Sequence, residues 1–233
     1  MTIVICKAHT PQWHAERRRR VTGSDIASWV GIAPDYWDSK EDLLLQKLGG
    51  HEKEFDDKTQ RRMAHGVERE ANALEMTGLV LGYPTARYSY LVTHERWPYL
   101  AATLDGLLFP WVGVEPNLTL TSQKELALEV RSLIQDAGEP VLTEIKVSDS
   151  GHRYKEKRGD NAGKYPWRDF APDYHLAQVQ TGLWMMDLEH GILSGCLGGD
   201  DIIPWYIHRS DTWADVLDRV NEEAGKELAP LWA

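Results

Sequence analysis

The segment Val141-Leu142-Thr143-Glu144-Ile145-Lys146-Val147 alternates as a β-strand does, yet it carries a carboxylate and an ammonium two residues apart, on one face. Leu142, Ile145 and Val147 supply apolar bulk around that pair. A salt-bridged edge strand would show the same pattern, so the pair alone says little. Glu144 and Lys146 are nonetheless the one Glu-x-Lys in the chain. The Asp-x-Lys matches, Asp38 to Lys40 and Asp56 to Lys58, fall in polar segments that read as helical, where the two side chains would not share a sheet face.

Upstream, Leu100-Ala101-Ala102-Thr103-Leu104-Asp105-Gly106-Leu107-Leu108 sets Asp-Gly between two apolar runs. That dipeptide is a hairpin signal, which would make Asp105 a turn residue. Beside Glu144, Asp105 is also a second hard oxygen donor at a strand end, the kind of ligand Mg²⁺ or Mn²⁺ takes. A third carboxylate is available from His65-Gly66-Val67-Glu68-Arg69-Glu70. There Glu68 and Glu70 point about 200° apart around a helix, so only one faces a given site. Downstream, Tyr174 and Gln178 share a helix face and Gln180 is turned away, a pattern two surface glutamines would also give.

The remaining texture orders these motifs. Thr22-Gly23-Ser24-Asp25 reads as the N-cap of a short helix stopped at Gly31, and further helices are expected over 39–48, 57–76 with Gly78 as the stop, 173–188 and 211–228. Strands are expected over 88–93, 99–104, 106–111, 141–147, 191–197 and 202–208. Residues 110–140, with a helical stretch at 125–135, read as an insertion. Helices, then strands, then helix, hairpin and helix predict an α/β protein: one domain over 1–233 with a central mixed β-sheet flanked by helices.

Composition narrows the class. The 233 residues include 26 Lys plus Arg against 36 Asp plus Glu, a net charge of −10, and 42% are hydrophobic. This excludes a disordered or fibrous chain. No run approaches the roughly 20 apolar residues of a membrane span and no signal-peptide pattern follows Met1, so a soluble, cytoplasmic protein with no membrane partner is expected. Cys6 and Cys196 are too few for a zinc ribbon or an iron–sulfur cluster. The acidic balance argues against a nucleic-acid coat protein but not against an enzyme acting on DNA, because charges beyond a Debye length of about 8 Å are screened. Two local basic stripes exist, Arg17 to Arg20 and the set His152, Arg153, Lys155, Lys157, Arg158, Lys164 and Arg168; either is also what a solvated face would show. The segment 159–165 lacks one residue and the Ser/Thr of a P-loop, and is read as a flexible loop over the site. Among the ten tryptophans, Trp13, Trp37 and Trp167 are candidates to stack on bases, while most such rings are core.

Taken in order, Gly66-x-x-x-Glu70, Asp105-Gly106, Glu144-x-Lys146 and Gln178-x-Gln180, preceded by Trp13-His14, Arg17 and Thr22-Gly23-Ser24, resemble the lambda-exonuclease and YqaJ-type viral recombinase family of PD-(D/E)xK nucleases. Leu104 replaces the family's proline before the aspartate, and the gap from Asp105 to Glu144 is much longer than in lambda exonuclease. The resemblance implies that Asp105, Glu144, Glu70 and the Ile145 carbonyl hold Mg²⁺, with Mn²⁺ able to substitute. Lys146 would serve the attacking water, and Gln178 would join the catalytic set. Arg17, Ser24, Thr103 and Gln178 would receive a terminal 5′-phosphate, for which a guanidinium with hydroxyl and amide donors is suited.

The activity implied is 5′→3′ digestion of one strand of linear duplex DNA to 5′-mononucleotides, leaving a 3′ single-stranded tail for phage-type recombination. The resemblance also implies a single-strand annealing protein as partner, a homotrimer, and a bacterial or phage-infected host cell. A site- or structure-specific endonuclease on the same core, or a non-catalytic recombination scaffold, would share many of these residues.

Overall fold

A computed structural model describes residues 1–49, 56–148, 164 and 166–232. The Glu-x-Lys segment forms a strand, Val141–Ser148, flanked by His190–Leu197 running parallel and Gly106–Leu108 running antiparallel. Numbered in chain order, the strands are β1 (Thr2–Lys7), β2 (Val21–Thr22), β3 (Thr85–Arg87), β4 (Tyr90–His94), β5 (Trp97–Thr103), β6 (Gly106–Leu108), β7 (Val141–Ser148), β8 (His190–Leu197) and β9 (Asp201–His208). The helices are α1 (Pro11–Arg18), α2 (Ile26–Trp29), α3 (Lys40–Lys47), α4 (Asp57–Leu81), α5 (Lys124–Gln135), α6 (Asp173–Met186) and α7 (Asp211–Glu227).

The expected mixed sheet with flanking helices is present, and it is divided in two. One sheet has the order β1-β4-β5-β2, the other β3-β6-β7-β8-β9, each with both parallel and antiparallel pairs. The chain passes from the first to the second at Asp105-Gly106, between β5 and β6. Asp105 is therefore no hairpin turn. Gly106 is required by a close approach instead: a Cβ there would lie 2.5 Å from Leu74 Cδ2 and 2.9 Å from the Ala86 carbonyl.

Most predicted elements appear within a few residues of their expected ends. Thr2–Lys7, for which the sequence offered no element, pairs with β4 as an edge strand. Trp13 stands in α1, whose N-cap Thr10 accepts from the Trp13 N–H. Gly78 does not end α4; the helix continues to Leu81 and is capped by Gly82 at φ 71°, a left-handed position suited to glycine. Gly78 serves close packing, since a Cβ would sit 2.6 Å from the Tyr83 carbonyl. Gly106–Leu108 is shorter than the strand expected to Trp111.

Residues 110–140 are built into the body rather than appended. The apolar face of α5, Ala127, Val130 and Ile134, packs on β9 and α4. On the other side, α6 and α7 close over the β4–β5 surface, joining Trp97, Leu100, Leu104, Leu183 and Leu217 in the largest core. Burying each such side chain contributes about 1.5–3 kcal/mol.

Candidate active site

Glu144 lies in mid β7, 2% exposed, and its Oε1 is 2.5 Å from the Lys146 ammonium on the same strand face. The β6–β7 ladder stops at the pair Gly106 and Thr143. Past that point the Asp105 side chain takes the place of a strand: its Oδ2 accepts from the Ile145 N–H at 2.8 Å. This one bond ties the junction of the two sheets to the centre of β7 and brings a second carboxylate to Glu144.

Glu70 arrives from α4, half-buried, while Glu68 on the opposite side of the helix is exposed. Glu70 is thus the one of the two that faces the site. Electrostatics shows how crowded the three acids are. Burial, then the Asp105 charge, pushes the Glu144 carboxyl up to about 8. The same two causes raise Glu70 to about 7. Burial also drives Asp105 upward, against the opposing pull of Lys146 and the Ile145 N–H. Burial disfavours the Lys146 cation, but Glu144, Asp105 and Glu70 outweigh it and hold the amine above its ordinary range.

Such a cluster resists being fully ionised unless a cation relieves it. Among the described residues, no group of three or more His, Cys, Asp or Glu side chains stands in a ligating array. The donors still suit magnesium, which keeps several waters and needs one or two carboxylates from the protein, the rest coming from phosphate. Asp105, half-buried, and Glu144, buried, are two such oxygen donors within each other's field, with Glu70 close enough to add its charge.

A second cluster lies beside it. Arg17 Nη2 donates to Ser24 Oγ at 3.0 Å, and its guanidinium lies 4.4 Å over the Trp13 ring. Trp13 in turn donates through Nε1 to Thr103 Oγ1 at 3.0 Å, two residues before Asp105. Gln178 packs its side chain against Gly23, where a Cβ would meet Gln178 Cγ at 3.4 Å. The four residues expected at the phosphate pocket are therefore brought together. Gln180 is turned away and bridges the His208 carbonyl and the Ser210 N–H.

Several participants carried no signal in the sequence. Asp25 accepts from the Thr22 N–H and hydroxyl and pairs with Lys47 at 2.8 Å, both nearly buried. Despite burial, the Lys47 and Arg17 charges hold Asp25 below the usual carboxylate range. His175 sits among the rings of Trp37, Trp167 and Tyr174, and burial, then Lys146, keeps its imidazole well below the ordinary histidine range.

The Arg17–Arg20 stripe is solvated only in part, with Arg18 exposed, Arg17 and Arg19 half-buried and Arg20 buried. Arg20 is buried against Glu16 and the Pro98 carbonyl, Arg18 donates to the Lys47 carbonyl, and Arg19 and Arg20 flank Trp232. Trp13 and Trp167 are buried as well, and neither ring is free to stack on a base. Of the second stripe, Lys164 and Arg168 are described and Arg168 pairs with Asp169; His152 to Arg158, and most of the 159–165 loop, lie outside the described residues.

Two mixed sheets joined at an aspartate, with an acid and an amine on the adjacent strand, form the α/β architecture of PD-(D/E)xK-type exonucleases, and comparison with solved structures shows the same fold. The alkaline exonuclease LHK-Exo from Laribacter hongkongensis superposes with TM-score 0.59 at 16% identity, over 95% of this chain and 94% of that one. The structure of LHK-Exo in complex with dAMP gives TM-score 0.59 at 18% identity, covering 95% and 96%. A phage-related exonuclease from Haemophilus somnus 129PT gives 0.53 at 13% identity, covering 91% and 94%. No curated protein sequence gives a significant match. The YqaJ-like viral recombinase domain matches residues 12–189, and the chain belongs to that family. Among the described residues, no helix is long and apolar enough to cross a membrane.

Proposed function

We propose that the chain is a magnesium-dependent deoxyribonuclease that degrades one strand of linear duplex DNA from its 5′ end, releasing 5′-mononucleotides and leaving a 3′ single strand for recombination. The observation that carries this reading is the convergence of Glu70, Asp105, Glu144 and Lys146, from three separate parts of the chain, at the junction of the two sheets.

Phosphodiester hydrolysis places extra negative charge on the phosphoryl group, needs an activated water and needs relief for the departing oxygen. Magnesium bound by Asp105, Glu144, Glu70 and the Ile145 carbonyl would supply Lewis acidity there. Lys146, cationic beside Glu144, orients the attacking water and offsets charge that grows on the phosphoryl oxygens. Asp105 holds its carboxylate in place by the Ile145 N–H, so the site is preorganised before substrate arrives.

Arg17, Ser24, Thr103 and Gln178 form a donor-rich pocket for a terminal 5′-phosphate, and occupation of that pocket would set the next phosphodiester at the carboxylates. In this reading, capture of the terminal phosphate sets the 5′→3′ direction. A single-strand annealing protein and a homotrimeric ring belong to the same reading, and the cytoplasm of a bacterial or phage-infected cell is its setting. Incubation of linear duplex phosphorylated at one 5′ end with Mg²⁺ should shorten that strand from its 5′ end and release mononucleotides, and Asp105→Asn should lower the rate about 10³-fold with an unchanged circular dichroism spectrum. Preferential loss of duplex lacking the 5′-phosphate would overturn the pocket assignment; full activity in Asp105→Asn would overturn the chemistry.

A further inference from the structure

Among the described residues, a cleft beside Glu70 takes no part in the proposed hydrolysis. It lies between α4, β3 and residues 112–114, with a volume of about 450 Å³. It opens at Ala71, the residue after Glu70, and follows α4 to Leu79, a run of about 12 Å at the helical rise.

Its lining changes in character along that run. At the Glu70 end stands Arg87, exposed, opposite Gly106 in the β3–β6 ladder. Its charge bears on both Glu70 and Asp105, yet among the described residues it makes no hydrogen bond or ion pair. In the middle are the exposed carboxylate of Glu75 and Thr85, which packs on Gly78. At the far end Leu79, Val112 and Val114 are exposed apolar side chains, beside Tyr83. The sequence of chemistries is therefore a cation, a hydrogen-bond acceptor, and an apolar surface.

We propose that this cleft binds a nucleoside 5′-monophosphate, the product class of the reaction proposed above, on which the identity of the ligand rests. Arg87 takes the phosphate, Glu75 accepts from a sugar hydroxyl or base amino group, and the base lies against Leu79, Val112 and Val114. An apolar peptide would leave Arg87 and Glu75 facing it without partners, which argues for the nucleotide. Residues 110–140 thereby acquire a role in the reaction, because they build the far wall of a site that receives the nucleotide as it leaves the carboxylates.

The test is calorimetric titration of the full chain with dAMP in EDTA, with deoxyadenosine and inorganic phosphate as the partial ligands. Binding of dAMP is expected without metal, tighter than either partial ligand. Arg87→Ala should weaken it about tenfold or more, as loss of a charge-assisted contact does, and Val112→Asp at an exposed position should weaken it too. No binding in EDTA, binding by both variants as tight as by the wild type, or binding that needs Mg²⁺ and disappears in Asp105→Asn would each overturn the site. If wild-type protein binds dAMP in this way but releases no nucleotide from linear duplex, the nuclease reading fails and the site stands. If it consumes duplex while both variants bind dAMP as wild type does, the reverse holds.

Discussion

Glu144 and Glu70 illustrate how much the protonation of single side chains governs this protein. In the metal-free fold they are raised to about 8 and about 7 from an ordinary 4.5. The native state then binds more protons than the unfolded chain between those values, so their contribution to stability is fully present below about 4.5 and is lost as pH climbs through 7 and 8. Thermal unfolding in EDTA should therefore show a melting temperature falling from pH 6 to pH 8.5. Glu144→Gln should recover at least about 2–4 °C at the upper end, the equivalent of roughly 1 kcal/mol. Mg²⁺ should raise the wild-type melting temperature more at pH 8 than at pH 6, since it replaces the missing protons, and should do little for Asp105→Asn. A flat pH profile, or equal metal effects at both values, would show that the carboxylates are not crowded as described.

At the scale of elements, the site depends on how helices and strands are fastened around it. Lys47, at the end of α3, neutralises Asp25 at the start of α2 and also donates to the Arg17 carbonyl at 3.1 Å, so one ammonium ties together three helices around the proposed phosphate pocket. Lys47→Met should cost about 3–5 kcal/mol in urea unfolding, because it strands a buried carboxylate. On β8, Gly195 stands opposite Lys146, and the Trp167 ring covers it so closely that a Cβ would lie 2.6 Å from Cε3. Gly195→Ala should push Trp167 and the neighbouring His175 ring out of place. Expected are a loss of about 1–3 kcal/mol and a changed near-ultraviolet tryptophan signal. An unchanged near-ultraviolet spectrum would show that the ring does not define that wall.

For the whole molecule, the proposed function sets a net charge of −10 beside a polyanionic substrate. Among the described residues, the cations near the proposed site, Arg17, Lys146 and Arg87, come from three different elements, so the phosphate binding proposed above would be local. An end-directed reaction predicts that covalently closed circular duplex survives conditions that consume its linearised form; nicking of the circle would favour the endonuclease reading. A homotrimer predicts about three times the chain's 26.5 kDa in light scattering. A monomer by that measurement would remove the ring and leave the chemistry intact.

Local signals carried everything legible in the chain before it folds. Alternation marked β7, periodicity marked α4, α6 and α7, and short motifs in a family order marked Glu70, Asp105, Glu144, Lys146 and the four pocket residues, because each of these signals is contained within a few residues. Long-range packing decided the rest. Asp-Gly reads as a hairpin turn until the change of sheets at residue 105 is seen, Gly78 reads as a helix stop until Tyr83 lies against it, and four consecutive arginines read as a solvated stripe until Glu16, Pro98 and Trp232 take up two of them. Arg87, Lys47 and His175 are invisible to any local pattern. Their meaning depends on which distant charges and rings the chain folds against them, and burial and Coulomb forces act through space rather than along sequence.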